Sequence, residues 1–166
     1  MNVVVQLEPA AEAPPAVAYR WDTDTDILTA RLEGVGSGAG MSGSVELEGT
    51  DGSWLILEVA AGRINGVEVA VWPTVQKRPS LVPPTSVEDA LVRIPARASQ
   101  PGIASLEVDT PLMAEADADR GVIHFRVGIR RDVRTVRVGR DLLLEVDTQS
   151  RVAGLWLLNV PPFPKS

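Results

Sequence analysis

The sequence predicts an all-β fold, a sandwich or partly closed barrel built from two strand-rich repeats related by a pseudo-two-fold axis. Three observations carry this reading. Short runs alternate apolar and polar residues, as Leu28, Ala30 and Leu32 do against Ile27, Thr29 and Arg31, which is the two-residue period of a half-buried strand. Glycine, aspartate and serine punctuate the gaps between runs, where turns need them. The chain also repeats itself: at an offset of 95, Asp22 meets Asp117, Asp24 meets Asp119 and Arg31 meets Arg126. Further on, Leu57-Glu58-Val59 meets Leu144-Glu145-Val146, Arg63-Ile-Asn-Gly66 meets Arg151-Val-Ala-Gly154, and Pro73 meets Pro161.

In chain order, Val3 to Glu8 is extended and leads into a hairpin. Its strands are Val17 to Trp21 and Ile27 to Leu32, and its tip is the turn-forming Asp22-Thr-Asp-Thr-Asp26. Gly34 to Gly43, rich in glycine and serine, is expected to be a mobile loop. Ser44 to Glu48, Trp54 to Val59 and Gly66 to Trp72 complete the first unit as strands. Residues 73 to 101 hold six prolines, too many for long regular structure. Within them, Ser86-Val-Glu-Asp-Ala-Leu-Val allows one or two helical turns, with Ser86 as N-cap. Ile103 to Asp109 is again extended, and Leu112 to Ala116, Val122 to Val127, Thr135 to Val138, Leu142 to Val146 and Leu155 to Val160 repeat the first five strands. The expected layout is a single domain over 1–166: repeat one at about 1–73, a proline-rich connector at about 74–101 holding at most a short helix, and repeat two at about 102–166.

Composition narrows the function. At 166 residues with 45% hydrophobic and 23% charged side chains, the chain is the size of one globular domain. With no cysteine there is no disulfide, thiolate nucleophile, Fe–S cluster or cysteine zinc site. The opening Met1-Asn-Val-Val-Val-Gln-Leu-Glu-Pro has neither the basic nor the long apolar region of a signal peptide, and no apolar run approaches the ~20 residues that cross a bilayer. A cytoplasmic location without membrane contact is expected. The net charge of −6 disfavours nucleic acid, but the charge is uneven. Residues 1–80 carry five basic and eleven acidic side chains, whereas residues 81–166 carry eleven of each.

The first copy reads Trp21-Asp22, Asp26, Leu28 and then Gly62-Arg63-Ile64-Asn65-Gly66-Val67-Glu68-Val69. In this it resembles the bacterial family catalogued as domain of unknown function 2283. The second copy keeps Asp117 but has Gly121 at the second aspartate and Trp156 at the glutamate. The resemblance covers roughly two thirds of the chain, in two blocks. It implies no activity; some members look like small partners of toxin genes.

Four constellations could carry chemistry. The tip Asp22-Thr23-Asp24-Thr25-Asp26, with Glu33 eleven residues after Asp22, imitates calcium-loop spacing. Ile27 replaces the glycine such a loop needs, however, so a solvated turn is expected and no metal or cofactor. His124, the only histidine, shows no oriented partner in the sequence, and no catalytic residue is assigned. Glu58 and Glu145 are equivalent in the repeat and would do acid–base work only if they met in one pocket. Arg126, Arg130, Arg131, Arg134, Arg137 and Arg140 fall within fifteen residues opposed only by Asp132, and arginine suits carboxylate or phosphate. These six are the candidate anion or partner contacts, with pairing to the acidic first copy as the structural alternative. Trp54, Trp72, Trp156 and Leu158 sit opposite the Leu/Val stripes of their strands, which implies a second layer or a homodimer interface, with ordinary core packing as the alternative. The leading expectation is a non-catalytic, self-associating interaction module. The alternatives are an anion or nucleic-acid binder using the arginine run and, third, a carboxylate-based enzyme.

Overall fold

In the computed structural model, residues 3–10, 12–34, 42–95 and 103–163 are described, with the backbone alone for 103–107. Among them there is no helix, so none long and apolar enough to cross a membrane. The fourteen strands are β1 Gln6–Pro9, β2 Val17–Trp21, β3 Leu28–Leu32, β4 Ser42–Glu48, β5 Trp54–Ala60, β6 Arg63–Val71, β7 Val75–Lys77, β8 Glu88–Arg93, β9 Ile103–Asp109, β10 Leu112–Asp117, β11 Val122–Val127, β12 Val133–Gly139, β13 Leu142–Asp147 and β14 Val152–Leu157. They form one strongly curled sheet, a half-barrel, running β7-β10-β11-β14-β13-β12-β8-β6-β5-β4-β9, with β3 also on β6, β2 on β3 and β1 on β8.

The curl brings both arms over one core. Leu28, Leu57 and Val67 of one arm pack in the same cluster as Phe125, Leu144 and Leu155 of the other, all within 1% of full burial. Backbone bonds sew the arms together: Val5 N to Ser150 O and Val152 N to Val3 O, both 2.8 Å, and Thr110 N to Glu48 O at 2.9 Å. The Tyr19 hydroxyl donates to Asp141 O at 2.5 Å across the same seam, and burial pushes its pKa well above the ordinary value. Tyr19→Phe is expected to lower unfolding stability by about 1 kcal/mol, leaving Asp141 O with the Leu158 amide as donor. Urea titration checks this; an unchanged midpoint would count against the seam bond.

The connector departs from the helical turn expected at Ser86. Glu88–Arg93 is a strand: Val92 faces the core, β1 pairs along it antiparallel, and β12 joins it in parallel through Val136 to Glu88 and Arg137 to Asp89. Two flanking strands that need a neighbour outweigh a local capping pattern whose few turns would leave them unpaired. The expected Gly34 to Gly43 loop falls largely on residues 35–41, outside the described ones.

Outside the main core, Val122, Leu143 and Trp156 form a second cluster on the outer face of β11, β13 and β14. Leu81 and Val87 of the connector, together with Leu158, pack on it. The second layer expected over Trp156 is thus supplied partly by the connector. Trp72 takes the core alternative, packing against the main core with its ring 5.7 Å from that of Phe125. Trp54 is half-buried.

Candidate functional site

The structure sorts the arginine run by what each guanidinium touches. Arg131 Nε lies 2.8 Å from Asp147 Oδ2, while its other nitrogens donate to the carbonyls of Val127 (2.8 Å), Ile129 (2.7 Å) and Val152 (3.2 Å). It pins the loop Gly128–Asp132, which opens on Gly128 at φ +81°, a left-handed conformation glycine adopts without strain. Arg134 makes a two-pronged pair with Glu88 at 2.7 and 2.9 Å. Arg137 donates to Arg140 O at 2.8 Å. Arg131 and Arg134 therefore pair with acids of the second half and the connector, rather than with those of the first half. Arg140 is exposed. Arg126, whose Nη2 donates to Met113 Sδ, and Arg130 line a cleft that Arg131 also borders.

That cleft, of about 260 Å³, lies on the outer face of β10, β11, β13 and β14 under the loop carrying Ile129 and Arg130. The alternation that sends Ile123, Phe125 and Val127 inward sends His124 and Arg126 outward. Register places His124 between Glu115 on β10 and Trp156 on β14. Its ring stacks on the indole at 4.1 Å. Nε2 is 2.5 Å from Glu145 Oε1, and Nδ1 is 3.9 Å from Glu115 Oε2. A carboxylate only accepts, so the Glu145 bond places a proton on Nε2.

Glu145 stands on β13, one strand beyond β14, and reaches His124 by passing over Gly154, its direct partner in the ladder. A Cβ at residue 154 would collide with the Glu145 carboxylate and lie 2.6 Å from Phe125 O. Gly154 is thus the notch that lets the pair form. Both carboxylates have a cationic or hydrogen-bonding partner, since Glu115 also lies 3.2 Å from Arg78. Two donors on the cleft's lining residues do not: Arg126 Nε and Trp156 Nε1 are buried and meet no acceptor among the described residues.

Sequence reasoning placed Arg126 and Arg130 among the candidates but missed the partners of His124. Glu145 was singled out only for its equivalence to Glu58. The signal was the glycine at 154, aligned with Gly66, whose small size opens the path across a strand. Glu58 and Glu145 do not share a site. Glu58 is exposed, and partial burial followed by Glu68 and Glu46 pushes its carboxyl up, against Arg31.

The acidic tip is a capped turn. Asp22 Oδ1 accepts from Asp24 N at 2.9 Å, Asp26 N donates to Asp22 O at 2.9 Å, and Asp26 takes φ 61°. Among the described residues no three histidine, aspartate or glutamate side chains are grouped to hold a metal ion.

No family model matches the chain, and neither does any curated protein.

Proposed function

We propose that the protein is a binding module that holds a small carboxylate- or phosphate-bearing anion in the His124 cleft. The observation that carries this is the pair of guanidiniums, Arg126 and Arg130, that line one cleft without a carboxylate partner among the described residues. With Glu115 paired to Arg78, the two guanidiniums of Arg126 and Arg130 outweigh the one remaining carboxylate, Glu145, and leave the cleft positive. The space suits a small anion rather than a polymer. Among the described residues no hydroxyl or thiol side chain lines it, and its two carboxylates, Glu115 and Glu145, are engaged by Arg78 and His124, which favours binding over nucleophilic catalysis.

The test is calorimetric titration with citrate and with pyrophosphate at low salt. Binding is expected in the unaltered protein, weakened at least about tenfold by Arg126→Gln with Arg130→Gln, and weakened also by added salt. Arg134→Gln, which touches only Glu88, should bind like the parent. Absence of binding for both anions at millimolar concentration, or equal binding by the double variant, would sink the proposal.

Self-association is a second reading, favoured by Met113, Ile129 and Val133, which stand 39%, 76% and 39% exposed around the same cleft. It predicts a solution mass twice the 17.7 kDa of the chain, reduced to one by Ile129→Glu.

We also propose that the two halves are diverged copies, and that the second has acquired the cleft. The pairing orders β2-β3-β6-β5-β4 and β10-β11-β14-β13-β12 support this, as do the register shifts after Glu58 and after Glu145. Asp26 and Gly121, aligned in sequence, share a left-handed backbone at φ 61° and 67°. In this alignment Thr29 stands for His124 and Glu68 for Trp156, and the two pairs occupy the same register, Thr29 with Glu68 and His124 with Trp156. Kinship with domain of unknown function 2283 rests on Trp21-Asp22 and the Gly62 to Val69 run, and would make the chain a fused pair of such units.

A further inference from the structure

Away from the cleft, Trp21 at the end of edge strand β2 and Trp72 just after β6 stack at 5.7 Å with planes 18° apart. The two indoles are held differently. Trp72 Nε1 donates to Asp26 O at 2.8 Å, a bond within the first half that fixes its ring. Trp21 Nε1 donates instead to Pro161 O, also at 2.8 Å, in the segment Val160-Pro-Pro-Phe163. Phe163 then meets Trp21 edge-on, its centroid 5.2 Å away and its plane at 87°. Beside this segment the groove continues as an open, almost wholly apolar space of about 270 Å³, floored by Val122 and Ile123.

We infer that the Trp21–Trp72 groove is a receptor for a proline-rich extended segment of a protein partner, and that Pro161–Phe163 is its resident intramolecular ligand. Proline fixes φ, and Pro162 keeps the residue before it out of the helical region, so the segment is preset to an extended, polyproline-like course. Such a chain makes no internal hydrogen bonds and leaves its carbonyls free. An aromatic groove reads it by packing on the rings and donating an indole N–H to a carbonyl. Trp21 does both toward Pro161 and Phe163. Phe163 remains 42% exposed, so the resident ligand is held at the surface and can leave without opening the core. The space alongside is apolar enough to take further proline or aromatic side chains. A partner segment carrying the same Pro-Pro-Phe chemistry would therefore compete with the chain's own copy, and its apparent affinity falls by the fraction of time the groove is free.

The experiment is fluorescence anisotropy with a labelled Val-Pro-Pro-Phe-Pro-Pro peptide on the full chain. The control peptide is Val-Ala-Ala-Phe-Ala-Ala. Weak binding to the unaltered protein is expected. Phe163→Ser, which loosens the resident segment, should tighten it at least tenfold. Pro162→Gly provides the same release without touching the aromatic contact, and a thermal melt verifies that each variant folds. Trp21→Phe in the Phe163→Ser background keeps the ring and removes the donor, and should return binding to the weak level. Three results would overturn the inference: no binding by either released variant at millimolar protein, equal affinity before and after release, or equal binding of the alanine peptide.

Discussion

Gly154→Ala is expected to destabilise the protein by about 3 kcal/mol, the upper end of what a single overpacked methyl costs. The added carbon would lie 2.6 Å from Phe125 O, which is backbone on the neighbouring strand and cannot rotate aside. It would also strike the Glu145 carboxylate, so the bond to His124 goes with it. Gly66, at the corresponding register, is the internal control. There a Cβ would stand 3.0 Å from Ala30 O and 3.5 Å from the Glu58 Cβ, contacts that a few tenths of an ångström relieve. Gly66→Ala should be close to neutral, because the roughly 0.5–1 kcal/mol that a strand gains when alanine replaces glycine offsets the tight contact with Ala30 O. Parallel urea titrations decide it. Comparable midpoints for the two variants, or a Gly154→Ala loss under half of that predicted, would mean that the notch is not a constraint.

Asp147→Ala is expected to cost about 3 kcal/mol, because it strips the shared partner from two partly buried guanidiniums. Asp147 is 3% exposed; its Oδ2 lies 2.8 Å from both Arg131 Nε and Arg151 Nε, and its Oδ1 accepts the amides of Gln149 and Arg151 at 2.9 Å. Burial pushes the carboxyl up, but the bonds from Arg151, Arg131 and Gln149 outweigh it and hold the pKa down at about 2, against 3.8 ordinarily. A depressed carboxylate stabilises the fold fully above its unfolded pKa and loses that contribution as pH falls through its folded one. Between about pH 4 and pH 2 the protein should therefore lose on the order of 1–2 kcal/mol that Asp147→Asn does not lose, with allowance for solvent screening. Melting temperatures of both proteins over pH 2 to 6 provide the check: parallel curves would reject the assignment.

The strands were legible because their pattern is local: the alternation from Leu28 to Leu32 and from Val122 to Val127 declares its two faces without reference to anything distant. Strand β8 was not, because Glu88–Arg93 is made a strand by β1 and β12 rather than by its own composition. The site divides in the same way. Arg126 and His124 could be put on one outward face from sequence, since they are two residues apart on a strand. Their joining to Glu145 could not, because it depends on β14 lying between β11 and β13 and on Gly154 having no side chain. The apparent choice between a binding and a pairing role for the arginines also dissolves at the level of single residues. Arg131 and Arg134 pair, while Arg126 and Arg130 face the cleft.

The parallel pairing of β4 with β9, and the pairing of β1 with β8, set the order in which the chain can complete itself during synthesis. β1 is made before β8 by roughly eighty residues and finds no strand partner until residues 90–93 have been made, and β4 keeps an open edge until residues 103–109 follow. The first half therefore emerges with unpaired backbone at two places, the condition under which nascent strands stick to one another. Closing such long loops is slow; the β4–β9 pairing spans the proline-rich connector and the β1–β8 pairing ends inside it. A chain stalled or cleaved within that connector would be left as an aggregation-prone fragment rather than a smaller working unit.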